Sequence, residues 1–352
     1  GKGDYSRVSL GVYEFTGIGK GDYLPVRFIP LPKLQQNMNI SISAEPFENI
    51  RIGLDLGLSS IDKNRFSSID DTDNNAYARK AEIDIKKVKL ETGFGDLGEI
   101  SFKLKERFIE ERYAPVDRIN SVEFEREYNT GPQLSNKELL REASAEYKPL
   151  EILTLNGGYG LLKKGNVFTS ERYKFGGSLL TEEGLRISNS SDYVRTSGLS
   201  QNSKWFRHRS EGAWSPGLLE IGTAYEGEDR RERLAGKDSL LGSGIIFNEY
   251  SAFVNYNSSS VIGVRVSAGF RKDFIPLKGK FTEESESLVQ EYLVEYKGGM
   301  IFSSEFSLKL RDKNYSKAFS EEGAQDSKTV LVRSFSRSSL FNRGLDMDLL
   351  YE

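Results

Sequence analysis

Residues 245–274 carry the clearest pattern of apolar and polar positions in the chain. The second half of this stretch reads VIGVRVSAGF, and every second residue is apolar: Ile262, Val264, Val266, Ala268 and Phe270. The residues between them are small or charged, among them Arg265 and Arg271. Such alternation predicts a β-strand with one apolar and one polar face. The first half follows the same parity, and the intervening NSSS predicts a turn, so the stretch is predicted to be a β-hairpin.

The same hairpin unit recurs along most of the chain. Residues 50–58 read IRIGLDLGL, the cleanest alternation of all, and similar runs continue to 345–351. Tight turns between successive runs allow only antiparallel neighbours. The sequence therefore predicts an all-β protein, an antiparallel up-and-down meander of about 16–18 strands that forms a transmembrane β-barrel or part of one.

Residues 1–37 are predicted to form a separate N-terminal connector, and the hairpin array is predicted to occupy 38–352. The connector contains GKGDY twice, at 1–5 and 19–23, and three prolines that disfavour a central strand. We interpret GKGDY as a recurring turn, with an anion-binding nest as the alternative. The chain begins at Gly1 without methionine and ends within an alternating run, so we expect a segment of a longer protein.

Short turns and long loops are predicted to lie at opposite ends of the strands, as in transmembrane barrels. We expect long loops at 226–240, 275–287 and 314–328, and a β-bulge where the parity slips at 86–87. The segment 113–137 is either an extra hairpin or a folded insertion. Aromatic residues near the short turns predict a girdle at a membrane interface; they are Phe47, Phe94, Tyr147, Trp214, Tyr256, Tyr296 and Phe341.

Composition excludes several kinds of site. The chain has no cysteine, so it has no disulfide and no thiolate metal site, and its 49 basic residues nearly balance its 52 acidic ones. We therefore expect no nucleic-acid partner. Asp71, Asp73, Asn75 and Glu82 have the spacing of a calcium loop, but Ala76 stands where that loop needs glycine. A solvated loop is favoured, and neither a metal nor a cofactor is predicted.

His208 is the single histidine and the only candidate for serine–histidine chemistry. It lies in KWFRHRSE, and the sequence has no serine–glycine elbow to accompany it. We predict that the chain is not an enzyme and has no catalytic residues. An outer-membrane hydrolase that uses a serine and His208 is the less favoured alternative.

Charged residues recur on the polar face of the predicted strands. In a soluble sheet they would face solvent, whereas in a membrane barrel they would line an aqueous lumen, and their mixed signs predict no strong ion preference. The candidates for lining the pore are Arg51, Asp55, Lys103, Lys105, Arg107, Arg265, Arg271, Glu305, Lys309 and Arg311.

Three features together give the chain a family resemblance: the alternating hairpins with polar loops, the repeated GKGDY, and PVDRINSVEFEREYN at 115–129. With them the sequence resembles the large outer-membrane barrels of Bacteroidota-type bacteria, including the SprA family of the type IX secretion translocon and gliding motility. The general pattern covers most of the chain from Met38 onward, and the specific motifs cover a small part of it. The resemblance implies an outer-membrane location and a protein-conducting pore, and it supplies no catalytic motif.

The sequence thus predicts an outer-membrane β-barrel that forms an aqueous pore, porin-like or translocon-like. Membrane lipid is an expected partner, and periplasmic or surface proteins are further expected partners. The alternative is a surface-exposed structural or adhesive sheet without a pore. The patchy alternation of 185–209 favours this alternative, because Asn189, Ser191 and Arg195 share a parity with Leu185.

Overall fold

A computed structural model describes residues 3–24, 31–66, 69, 71–93, 95–131, 135–258, 261–298, 302–340 and 345–351. Strands account for most of these residues. They are β1 Tyr5–Ser9, β2 Val12–Phe15, β3 Leu34–Phe47, β4 Ile50–Asp62, β5 Asn75–Thr92, β6 Gly95–Ile109, β7 Glu138–Leu150, β8 Leu153–Lys164, β9 Phe168–Leu180, β10 Leu185–Gly198, β11 Gln201–Trp214, β12 Leu219–Leu234, β13 Ile245–Ser258, β14 Ile262–Leu277, β15 Lys280–Tyr296, β16 Phe302–Tyr315, β17 Ser327–Leu340 and β18 Leu345–Tyr351.

The strands β3 to β18 form one 16-stranded antiparallel sheet in which each strand pairs with its neighbours in the chain. The predicted fold class, an antiparallel up-and-down meander, is confirmed. The hairpin that has the clearest alternation pairs Tyr250 with Phe270 and Val254 with Val266. Across the described residues no ladder joins β3 to β18.

In the part of the chain that the structure describes, helical structure is confined to a 3-10 turn at Asp71–Asp73 and two helices of a single turn, α1 at Phe124–Glu127 and α2 at Lys317–Ser320. No helix among the described residues is long and apolar enough to cross a membrane.

The sheet has one apolar face and one charged face, and strand register carries this division from strand to strand. Ile52 lies opposite Ile83, and Ile83 lies opposite Leu104. When paired residues are followed from β6 to β14, Val264 and Val266 lie on the same face as Ile52, as the sequence predicts. The predicted bulge is also present, because the register shifts between Ile85 and Val88.

The apolar face is exposed and packs under no second sheet of the described chain. Leu58 is 53% exposed and Val266 is 42% exposed, and many other apolar side chains on this face are similarly accessible. The total accessible surface is 23976 Å², whereas a compact protein of this mass exposes about 14,000 Å². A soluble protein rarely leaves so large an apolar surface in contact with water. The fold is therefore a single extended sheet, and a sandwich with a dry core between two sheets is excluded.

The aromatic residues predicted near the short turns lie on the apolar face wherever register fixes them. Trp214 pairs with Ile221, Tyr256 with Val264, and Tyr296 with Ile262. Phe47 is 68% exposed and pairs with Ile50. Phe94 and Phe341 lie outside the described residues.

The two GKGDY copies pair with each other. Gly3 and Gly21 form an antiparallel bridge, and the backbone N–H of each donates to the carbonyl of the other, at 2.8 and 2.7 Å. A Cβ on Gly21 would collide with the backbone of Tyr5. The repeat therefore needs glycine, because two backbone segments of the chain approach each other closely there. The motif is therefore a self-pairing element beside the β1–β2 hairpin. The predicted division at residue 37 stays a prediction, although β3 already begins at Leu34.

The prediction of long loops at one end of the strands is only partly right. Long connections occur at 63–74, 110–137, 235–244 and 316–326, but 165–167, 199–200 and 278–279 at the same end are short. The expected loop at 275–287 is wrong, because β14 and β15 continue to a tight turn at Lys278 and Gly279, whose φ angles of 51° and 81° suit a two-residue hairpin turn. The expected loop at 226–240 is strand β12 as far as Leu234, so a deletion there would remove ladder residues.

Candidate functional site

The ten predicted pore-lining residues all lie on the charged face, but they do not form one cluster. Lys103, Lys105 and Arg107 follow one another along β6, while Glu305, Lys309 and Arg311 lie on β16. Nine strands separate β6 from β16 in the order of the sheet. The face is therefore a broad charged surface, and its role in lining a pore stays a prediction.

Most of the described cations on this face are paired. On β6, the Lys103 ammonium lies 2.7 Å from Glu82 and the Lys105 ammonium lies 2.8 Å from Glu142. Elsewhere, Asp55 lies 3.5 Å from Lys80. The other predicted residues with described contacts are Arg51, which donates to Ser43; Arg107, which binds Glu138 and Asn120; Arg265, over the Phe253 ring; and Arg271, which binds Asp273 and Glu249.

The segment 110–137 leaves β6 and folds over the charged face before the chain enters β7. Its described residues contain the single helical turn α1 and no strand, so the segment is a folded insertion and not an extra hairpin. Phe124 and Tyr128 are 5% and 1% exposed, and they pack on Leu140 of β7 and Leu162 of β8. This is the hydrophobic core of the described chain, and it anchors the insertion to β7 and β8.

Polar contacts extend the anchoring across neighbouring strands. The Tyr128 hydroxyl donates to the Glu142 carboxylate at 2.7 Å, and the Tyr128 carbonyl accepts from Ser170 Oγ at 2.8 Å. Burial, together with the Glu142 carboxylate, raises the pKa of Tyr128 far above its usual range, so this hydroxyl stays protonated. Glu127 lies 3.1 Å from the Arg172 guanidinium of β9.

Asn129 follows α1 and contacts strands of the sheet that lie far from β6, where the insertion begins. Its φ of 46° is a left-handed conformation that asparagine tolerates at a helix end. Its amide donates to Ser203 Oγ of β11 at 2.9 Å and accepts from Arg230 of β12 at 3.1 Å. The insertion therefore contacts the charged face as far as β12, and at its other end the Ala114 carbonyl accepts from Asn37 of β3 at 2.8 Å.

The return of the insertion into β7 is fixed by Glu111. Its carboxylate accepts from the Ser135 hydroxyl at 2.6 Å and from the backbone N–H groups of Asn136 and Lys137 at 3.1 and 3.0 Å. These donors hold the pKa of Glu111 below its usual range. The two ends of the insertion are thus tied together at the rim of the sheet.

Two glycines of the charged face receive the tyrosines of the insertion. Tyr113 lies over Gly57 of β4, and Tyr128 lies over Gly160 of β8; a Cβ at either glycine would collide with the tyrosine hydroxyl. The absence of a side chain at these two positions allows the insertion to approach the sheet closely. The sequence shows these glycines, but it does not show what lies on them.

Gly160→Ala should therefore loosen the insertion. Overpacking of a well-packed contact costs about 1–3 kcal/mol, and the displaced Tyr128 would lose its bond to Glu142. Tryptic cleavage after Arg126, whose side chain is 64% exposed, should become faster in folded protein. Gly158→Ala is the control, since its Cβ would meet only ordinary contacts, the nearest of them at 3.4 Å. Equal cleavage of the two variants would contradict the proposed close approach.

A cavity of about 310 Å³ lies between the insertion and the sheet. Five cationic side chains and two carboxylates line it, with Tyr128 as one wall; they are Lys80, Lys103, Lys105, Arg172 and Lys174, and Glu82 and Glu142. Each of these cations is ion-paired, because Asp55, Glu127 and Asp192 add their carboxylates to those of Glu82 and Glu142. The lining is therefore a network of ion pairs beneath the insertion.

Two of the residues suggested as a calcium loop, Asp73 and Glu82, are engaged in ion pairs. The Asp73 carboxylate lies 2.9 Å from Arg112, and Glu82 points into the charged face, 3.1 Å from Lys80. In the described part of the chain, no group of three or more metal-ligating side chains converges.

A second candidate site lies on the apolar face, around His208. Register places Ser191 of β10 opposite His208 of β11, and Asn189 opposite Ser210. Ser191 Oγ lies 2.8 Å from His208 Nδ1, and Ser210 Oγ lies 2.8 Å from His208 Nε2. Asn189 Nδ2 donates to Ser210 Oγ at 2.9 Å. We call these four residues the Ser–His cluster.

Comparisons with known proteins return only distant structural likenesses. No family model matches the chain, and none of the curated proteins matches it. The chain is similar to OmpT, an outer membrane protein of Vibrio cholerae, in its in-vitro folded form, with 10% identity, 86% of this chain and 94% of that chain covered, and a TM-score of 0.39. A form of OmpT that lacks loop L8 gives 10% identity, 87% and 97% coverage, and a TM-score of 0.39.

With TM-scores this low, the likeness adds nothing about function or mechanism. By their names, these proteins lie in the outer membrane, the location that the sequence predicts for this chain. The comparisons do not confirm the resemblance to the SprA family.

The prediction that the chain is not an enzyme has to be corrected. It rests on the lack of a recognisable constellation in the sequence, and the fold assembles one: both ring nitrogens of His208 lie 2.8 Å from serine hydroxyls. The sequence feature that points to this site is the presence of two polar residues, Asn189 and Ser191, at positions of β10 that face the apolar side of the sheet.

Proposed function

We propose that this chain forms part of the wall of an aqueous pore in the bacterial outer membrane, with its apolar face against lipid and its charged face against water. The observation that carries the proposal is the division of one unpartnered sheet into an exposed apolar face and a charged face that holds an inward-folded insertion. A membrane β-barrel has this arrangement of faces.

The size of the apolar band supports lipid contact. On β14 the residues of the apolar face are uncharged from Ile262 to Phe270, and Lys272 is the next one on that face. Eight steps of about 3.3 Å span roughly 26 Å along the strand, or about 20 Å across a membrane if the strand tilts by about 40°. A charged row follows on neighbouring strands, including Asp229 and Arg231, which bind each other at 2.7 Å. This matches an apolar belt bounded by charge at one interface.

The insertion gives the pore its restriction. It lies over the charged face from β3 to β12 and is held there by the Phe124–Tyr128 core and by bonds to Glu142, Ser170 and Ser203. A solute that moves along the charged face must pass beside it and beside the ion-paired cavity beneath it. We place the end that carries the long connections on the cell exterior, as in bacterial barrels.

The test is the conductance of the intact protein in lipid bilayers. Replacing 114–131 by a short glycine–serine linker should enlarge the single-channel conductance, because the insertion no longer covers the charged face. Trimming 317–322, in a connection outside the insertion, is the control and should leave conductance unchanged. A protein that inserts but conducts no ions, or an unchanged conductance without the insertion, would refute the pore.

Protein translocation is the second candidate, and one observation favours it. The stretch PVDRINSVEFEREYN, which carries the resemblance to the SprA family, belongs to the insertion on the charged face. A translocon needs a constriction inside its channel, and the insertion would supply that constriction. Depleting the protein in its native bacterium should make secreted proteins accumulate in the periplasm; normal secretion after depletion would remove this candidate.

A further inference from the structure

The Ser–His cluster stands out because it is a polar island on the apolar face. Phe206 stacks on the His208 ring at 6.1 Å, and Tyr225 lies 5.6 Å from it on the other side. Gly227 lies opposite His208 on β12, and the Tyr225 ring of the same strand lies over this glycine. Polar groups facing lipid cost free energy unless they are paired, and here they are paired in the geometry of a nucleophile with its base.

Ser210 also opens onto a groove in the same face. The groove has a volume of about 660 Å³, within the range of about 300–1,000 Å³ that is usual for ligand sites. Its floor is a row of small residues that lie opposite one another on four strands, Gly212, Thr223, Ala252 and Ala268. Tyr225, Tyr250, Phe270 and Leu288 form one wall. An apolar chain laid in the groove would place its polar end at Ser210.

Two cationic residues lie farther along the same strands as the Ser–His cluster, and they indicate a second group that a substrate would carry. Arg195 and Lys204 pair with each other on the apolar face, four residues along their strands from Ser191 and His208. Four steps correspond to about 13 Å along a strand, or about 10 Å in depth at a tilt of about 40°. Both side chains are exposed and would meet an anionic headgroup.

We propose that the Ser–His cluster is a hydrolytic site for the carboxylic esters of phosphorylated membrane lipids. Ser210 is the nucleophile, His208 the general base, and Asn189 a donor to the developing oxyanion. Ser191 is a positioning residue, because its hydroxyl accepts from Nδ1–H of His208 and leaves Nε2 free to accept the Ser210 proton. The acyl chain occupies the groove, and the headgroup faces Arg195 and Lys204.

The reaction balances with water as the only co-reactant. Ser210 Oγ attacks the ester carbonyl carbon while its proton passes to His208 Nε2, and the oxyanion accepts from Asn189 Nδ2. Collapse breaks the ester C–O bond, and His208 gives the proton to the leaving alkoxide. Water then attacks the acyl-serine, with His208 again taking and returning the proton, and the fatty acid leaves. General-base catalysis of this kind contributes about 10²–10⁴-fold.

The proposal rests on the lipid-facing orientation of the apolar face in the proposed function, so both are measured together. The intact protein is placed in vesicles of phosphatidylethanolamine and phosphatidylglycerol, and fatty-acid release and ion conductance are followed in the same preparation. Ser210→Ala and His208→Asn should each lower release at least about 100-fold with conductance unchanged. Ser190→Ala, on the charged face of the same strand as Ser191, should change neither.

A second readout does not depend on the vesicles. A fluorophosphonate should label Ser210 of the folded protein in detergent, as located by mass spectrometry, and His208→Asn should abolish labelling. Ser191→Ala should lower kcat with little change in KM, because it acts through the orientation of the imidazole. Conducting vesicles without fatty-acid release, or release that survives Ser210→Ala, would overturn the hydrolytic site and leave the pore standing. Vesicles that release fatty acid without conductance would overturn the pore alone.

Discussion

Val266→Arg should prevent stable insertion into a membrane, whereas Ser267→Arg, one residue away, should be tolerated. Val266 lies in the centre of the apolar band of β14, between Val254 and Tyr292 on the neighbouring strands. An arginine there would face lipid, at a cost of about 2–4 kcal/mol near the midplane. Ser267 lies on the charged face opposite Glu291, where an arginine meets water and a carboxylate.

The measurement is heat-modifiable mobility of the membrane fraction on gels, which distinguishes folded from unfolded barrel protein. Because both variants add the same side chain to the same strand, general effects of arginine on expression cancel. Equal loss of folded protein in the two variants, or a greater loss for Ser267→Arg, would mean that the faces are assigned the wrong way round.

Glu138→Gln should destabilise the start of β7 and release the insertion. Glu138 is 2% exposed and lies between two cations, Arg107 and Lys164, which are 9% and 6% exposed. Arg107 also donates to Asn120 of the insertion and packs on the Phe124 ring. Removing one partner of a buried ion pair costs about 3–5 kcal/mol, because the remaining charges stay buried without compensation.

The loss should appear as a lower midpoint of urea unfolding and as faster tryptic cleavage at Arg126. Glu146→Gln, on the same face of the same strand, is the matched control, because its pair with Lys148 at 3.3 Å is about half exposed and such pairs contribute little. A midpoint for Glu138→Gln that equals that of Glu146→Gln would show that the cluster of Glu138, Arg107 and Lys164 does not hold the insertion.

The sheet could be predicted from the sequence because its determinants are local. Period-two alternation fixed the strands and the face of each residue, and the slip at Lys86 and Lys87 marked the bulge, where Lys87 has a φ of 46°. The loops were harder to predict from the sequence than the strands. Lys278 and Gly279 form a tight turn within 275–287, and the polar run after Phe281 hides the start of β15. Strands that continue beyond the apolar band keep their ladders but lose the alternation that reveals them.

The candidate sites depend on contacts that the sequence does not encode locally. Asn129 meets Arg230 across a separation of 101 residues, and Tyr128 meets Gly160 only because the insertion folds back on the sheet. The Ser–His cluster requires the register of β10 against β11, which sets Ser191 opposite His208. The polar residues Asn189 and Ser191 weakened the predicted alternation, and in the fold they are the partners of the histidine.

Cysteine scanning of 262–271 tests whether one face of this sheet meets lipid and the other meets water. The chain has no native cysteine, so ten single-cysteine variants of the intact protein can be compared in native membranes. Each is treated with a water-soluble maleimide, and a lipid-phase quencher is then applied to a fluorophore at the same position. We expect a period of two, with strong maleimide reaction at 263, 265, 267, 269 and 271, and strong quenching at 262, 264, 266, 268 and 270. Uniform maleimide reaction at all ten positions, without quenching, would show a soluble sheet with no face against lipid.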